Sequence, residues 1–228
     1  MALYGEAGDP KRLAGALALQ LARSPDAATK KARSLALAAL HGRELRDAPG
    51  AFRWQLGAFE LDPADAEVRR ELERLAARAG GWAALIERYE AIAEERDDVD
   101  RVALWSVAAS EKERVLGDVD GALATWQKLA ALEPAVPAAF DALVRLYEAR
   151  QAWRELHDIY ARKLQLAAQD AGARRPIVIA MAALAEKQGD DARAIAAYRR
   201  LVEELGPDDA TLDALERLYE RAGALAEV

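Results

Sequence analysis

The chain has 228 residues, 52% of them apolar, and its 32 Lys and Arg against 39 Asp and Glu leave a net charge of −7. That acidity weighs against general nucleic-acid or anionic-membrane binding, which needs a basic face to neutralise phosphate. The lack of cysteine excludes disulfides, thiol catalysis and thiolate metal sites.

No asparagine occurs and threonine is confined to Thr29, Thr125 and Thr211, so residues that favour strands and turns are scarce. In chain order, apolar periodicity and breaker residues predict helices at about 10–24, 26–46, 48–61, 64–79, 81–96, 98–116, 119–132, 135–150, 152–168, 170–189, 190–205 and 208–222. Near the start, Glu6, Asp9, Lys11 and Arg12 interrupt any leader-type apolar core. No run approaches the ~18 uncharged residues of a membrane span, and the longest apolar stretch, 176–185, reads as a buried helix. No membrane association is expected, and the expected location is cytoplasmic.

Two kinds of joint alternate. Asp62-Pro63, Glu133-Pro134 and Gly206-Pro207 close some helices, whereas Asp97-Asp98-Val99-Asp100 and Asp170 stand where an acid would cap the next helix. The acid cluster lacks the central glycine and closing glutamate of a calcium loop, so capping is expected and no metal site.

The chain lines up with itself at about 72 residues. Leu3-Tyr4 with Gly8, Leu75-Ala76 with Gly80, Leu146-Tyr147 with Ala149, and Leu218-Tyr219 with Gly223 follow one pattern, and the steps from position 4 are 72, 71 and 72. Trp82, Leu85 and Tyr89 reappear as Trp153, Leu156 and Tyr160, on one helix face by their offsets. Midway, Gly117-Asp118, Ala122, Trp126 and Leu129 correspond to Gly189-Asp190, Ala194, Tyr198 and Leu201, so 72 is twice a unit of about 36. Short connections force antiparallel hairpins, and a hairpin that cannot bury both apolar faces alone is stabilised by stacking on its neighbours.

These residues resemble the tetratricopeptide repeat family, in degenerate units of a bacterial type. Gly189-Asp190, Ala194, Tyr198 and Pro207 match its pattern in one unit, and Gly117-Asp118, Ala122, Trp126 and Pro134 in another. Val144 or Glu216 stands where the family has a small residue, and Leu85 and Leu156 replace its alanine. The resemblance implies an all-α, right-handed superhelical solenoid of about six hairpins, spanning 1–228 as one domain. Met1–Gly8 and Ala222–Val228 fall at nearly the same phase, so the expectation is a window cut mid-repeat at both ends from a longer array, with possible end-to-end self-association.

Chemistry is sparse. His41 and His157 are too few for a metal triad, and His157 is expected to pack in the core. Ser24, Ser34, Ser106 and Ser110 lie outside any nucleophile elbow, and no phosphate loop or dinucleotide fingerprint occurs. No catalytic residue, cofactor or enzymatic activity is expected. The tryptophans, Trp54, Trp82, Trp105, Trp126 and Trp153, are expected as core rather than as an aromatic ligand ladder.

One feature stands above this background: Arg74, Arg145 and Arg217 recur at one repeat position, with Arg70, Asp141 and Asp213 a turn earlier. In the resembled family that helix lines the concave groove, which would make these six residues a candidate peptide-binding wall holding carboxylates through charge-assisted bonds. The alternative is solvated i,i+4 pairing, Asp141 with Arg145 and Asp213 with Arg217. The family's known clamp for chaperone tails uses asparagines, which this chain lacks. The resulting expectation is a protein-interaction scaffold, with a structural spacer or self-assembling rod and a regulatory region of a multidomain signalling protein as alternatives.

Overall fold

The computed structural model describes residues 9–132, 135–168 and 170–223. All regular structure among them is helical: α1 (Pro10–Ala22), α2 (Ala27–Arg43), α3 (Ala48–Leu61), α4 (Ala66–Ala79), α5 (Trp82–Glu95), α6 (Arg101–Glu111) with a π-helical continuation (Lys112–Leu116), α7 (Val119–Ala130), α8 (Pro137–Ala149), α9 (Trp153–Ala167), α10 (Ala171–Lys187), α11 (Asp191–Leu205) and α12 (Asp209–Ala222). The expected repeat segment Leu3–Gly8, the Glu133-Pro134 joint and the tail beyond residue 223 lie outside the described residues.

Aspartates start these helices. Asp9, Asp26, Asp47, Asp65, Asp100, Asp170, Asp190 and Asp208 each accept backbone N–H bonds in the first turn, satisfying donors that the helix cannot use and placing negative charge at its positive end. Asp100 and Asp170 are thus caps, as expected for the acid joints. Pro63 and Pro207 sit in the turns themselves, and Asp65 and Asp208 behind them open the next helix.

The hairpin turns all use the left-handed backbone region, at Arg46, Gly80, Gly117, Gln151, Gly189 and Gly223. Their sequence spacings are 34, 37, 34, 38 and 34, so the average of 36 resolves into two alternating hairpin types. The longer hairpins begin with long helices, α10 at 17 residues and α6 with its π-helical continuation; the shorter ones begin with α4, α8 or α12, of 13 to 14 residues. The π segment absorbs extra residues where the regular ladder would otherwise break register.

The chain forms two compact units, 1–125 and 126–228. In the first, α1 to α6 pack in succession, each on its chain neighbours, and in the second α8 to α12 do the same. This is the quasi-one-dimensional packing of a hairpin array. The repeat positions supply the core. Leu85, Tyr89, Ala122, Leu156 and Ala194 are fully enclosed, and Trp82, Trp126, Tyr160 and Tyr198 nearly so. In the first unit the Phe59 and Tyr89 rings meet at 5.2 Å between centroids. In the second, α10 to α12 close around Ala182, Leu201, Leu215 and Leu218.

Three aromatic expectations need correction. Trp54 and Trp153 are only half-buried, Trp54 standing beside the His41 ring at 6.4 Å. His157 is half-exposed and lines a cavity, because its helix position faces a neighbouring groove and not the hairpin core.

Candidate functional site

In the first unit Arg74 lines a cleft of about 240 Å³ between the two hairpin-leading helices α2 and α4. Arg43, in the last turn of α2, and Arg78, in the last turn of α4, line the same cleft, each favoured there by the negative helix end. Its apolar wall is Leu35, Ala38, Ala39 and Leu75. Gln55 of α3 is buried behind them and donates from Nε2 to the Val68 carbonyl at 3.1 Å, tying α3 to α4. Arg74 binds Glu71 in a bidentate pair, Nε to Oε2 at 2.8 Å and Nη2 to Oε1 at 2.7 Å, and this pair pushes its pKa up. The lining therefore carries three guanidinium groups and one carboxylate. Arg70 is not part of it; its side chain is 71% exposed and 3.9 Å from Glu67.

The second unit holds the other sequence candidates, and it pairs them differently from the expectation. Asp141 accepts a 2.7 Å bond from Lys163 on α9. Arg217 donates to Glu186 on α10 at 3.0 Å, and Asp213 is exposed. The i,i+4 partnership of Asp213 with Arg217 is thus replaced by a bond between successive hairpin-leading helices. Glu186 is approached by Arg221 as well, at 3.6 Å, and Arg221 also pairs with Asp191. Burial beside Glu186 pushes the Tyr198 hydroxyl up. Lys187 and Glu148 make a further link between α10 and α8, at 3.6 Å. Arg145 is exposed on α8.

A second surface had no signal in the repeat spacing, because three successive helices build it. α10 forms the floor between α9 and α11. One lobe, of about 300 Å³, is lined by Trp153, Arg154 and His157 of α9, by Met181, Leu184 and Ala185 of α10, and by Arg193 of α11. A second lobe, of about 290 Å³, shares Met181 and Arg193 and continues over Leu164, Val178, Ala197 and Leu201.

Among the described residues no group of three or more His, Asp or Glu is placed to hold a metal ion. No described helix is long and apolar enough to cross a membrane.

No protein-family model matches the chain, and no curated protein matches it in sequence. Comparison of structures does find similar solved chains. A tetratricopeptide repeat protein from Parabacteroides merdae is 14% identical over 95% of this chain and 81% of its own, with a TM-score of 0.40. BtubC (BKLC) from P. vanneervenii is 16% identical over 93% of this chain and 86% of its own, with a TM-score of 0.44. Neither likeness bears on the fold or function of this chain, which stand on its own helices and contacts.

Proposed function

We propose that the chain is a protein-interaction scaffold, a hairpin array that holds an acidic peptide or partner segment against its hairpin-leading helices. The observation that carries this reading is the α2–α4 cleft, where Arg43, Arg74 and Arg78 stand around one carboxylate over an apolar wall. An incoming carboxylate would compete with Glu71 for Arg74, and the forked geometry of the guanidinium suits that exchange. Arg145 and Arg217 extend the same use to the second unit, where Arg217 would be released from Glu186 in the same way.

The test is binding of a fluorescein-labelled, aspartate- and leucine-rich decapeptide by anisotropy. Saturable binding that weakens at least tenfold in the triple substitution Arg43→Glu, Arg74→Glu, Arg78→Glu supports the reading. Unchanged affinity with helicity intact eliminates the cleft.

A further inference from the structure

The groove over α10 has the makings of a separate site. Its two lobes meet at Met181 and Arg193, and its floor runs from Arg174 to Gln188. At ~1.5 Å rise per residue that floor is about 21 Å long, the reach of roughly six residues of extended chain at ~3.3 Å each. A monatomic or compact anion would leave most of it empty; an elongated segment fills it.

The charge of the groove runs against that of the chain. Four arginines, Arg154, Arg174, Arg193 and Arg200, line it against two carboxylates, Asp158 and Glu204, in a protein of net charge −7. Glu204 is engaged by Arg200 at 2.5 Å and Arg174 at 2.9 Å, and Asp158 lies 3.9 Å from His157. Among the described residues Arg154 and Arg193 make no side-chain ion pair, and both are exposed at the lobe they share. Trp153, Met181 and Leu184 add apolar surface to that lobe, and Val178, Ala197 and Leu201 line the other. The lobe that holds these two guanidiniums is mainly polar and the adjoining one mainly apolar, an arrangement that fits a carboxylate followed by apolar side chains, the carboxylate being held by charge-assisted bonds.

We infer that the α9–α10–α11 groove binds an extended peptide segment of about six residues, with acidic side chains at Arg154 and Arg193 in the first lobe and apolar side chains in the second. This site is distinct from the one under Proposed function. Glu186, which pairs with Arg217, lies five residues from Met181 and so about 140° round α10. Neither site depends on the other.

The probe is the fluorescein-labelled hexapeptide Leu-Glu-Asp-Leu-Leu-Phe, titrated by anisotropy against the whole chain, with the Gln/Asn isostere as control. Expected are saturable binding, at least tenfold weaker binding of the isostere, and at least tenfold loss in Arg154→Ala, Arg193→Ala. These side chains are exposed and unpaired, so helicity by circular dichroism stays at the level of the parent. Met181→Glu, which places a carboxylate on the floor, also abolishes binding, whereas Arg74→Glu leaves it unchanged. The inference is overturned by absence of saturation up to about 1 mM, by equal affinity for the isostere, or by indifference to both arginine changes. Concentration-dependent dimerisation that Arg193→Ala abolishes would assign the groove to a second copy and overturn it too.

Discussion

The Lys31 ammonium on α2 lies 2.6 Å from the carboxylate of Asp65, the residue that caps α4. The same ammonium reaches Asp62 at 2.6 Å, so one cation closes the turn between α3 and α4 and ties it to the preceding hairpin. Both aspartates are 31 to 34 residues ahead of the lysine. Lys31→Met removes the pairing while keeping the apolar stem, and should lower unfolding stability by ~1 kcal/mol in urea titration, since both sides are only partly exposed.

Acid should unfold the chain through its caps. Lys31 and the Val68 N–H hold the Asp65 carboxyl below its usual value, and the Gly50 N–H together with His41 does the same for Asp47. A carboxyl whose folded pKa is depressed contributes stability present above its unfolded pKa, near 3.9, and lost as pH falls through the folded value. Unfolding stability is therefore expected to be flat down to about pH 5 and to fall below about pH 4. Asp65→Asn should flatten that fall. Chemical denaturation at stepped pH measures both.

At the alkaline end the sign reverses. Lys31 has its pKa raised by the hydrogen bonds to Asp62 and Asp65, so its contribution is present below about pH 10.4 and is lost above it as the amine deprotonates. In the Lys31→Met protein the alkaline loss should shrink.

Gln151 occupies a left-handed turn, φ 54°, that glycine fills at four of the equivalent places. Gln151→Gly should raise stability by ~0.5–1 kcal/mol, because the Cβ penalty of that region exceeds the entropy glycine adds to the unfolded chain. Gly80→Ala should cost about as much. Melting temperatures of the two variants should move in opposite directions.

Leu85 and Leu156 are fully enclosed at equivalent positions where the resembled repeats have alanine. Leu85→Ala or Leu156→Ala should cost ~2–5 kcal/mol, since the surrounding helices are spaced for the larger side chain. A cost under ~1 kcal/mol would mean that the helices close the gap.

The local rules of the fold were legible in the chain. Aspartate before an apolar-periodic run marked helix starts such as Asp100 and Asp170, and glycine marked helix ends such as Gly80 and Gly189. The alternation of hairpin lengths was hidden, because Arg46 and Gln151 take the glycine conformation without being glycine, and the π turn at Lys112–Leu116 has no spacing of its own. The pairing of Arg217 was hidden for a physical reason. Spacing within one helix sets Asp213 beside Arg217, whereas Arg217 finds Glu186, Arg175 finds Asp208 and Arg221 finds Asp191 about one repeat away. A long side chain reaches across to the adjacent layer, and sequence spacing within one helix does not show that. The α10 groove stayed hidden because it belongs to three helices at once.

The alternation of 34 and 37–38 residues between turns sets what can be cut and rejoined. A short hairpin placed in the slot of a long one would meet neighbours whose lengths do not match, and the cap-to-turn links such as Lys31 with Asp65 would lose their register. Two consecutive hairpins, 71 or 72 residues in all, restore the phase. Chimeras, deletions and extensions of this array should therefore work in hairpin pairs, with the pair as the smallest interchangeable part.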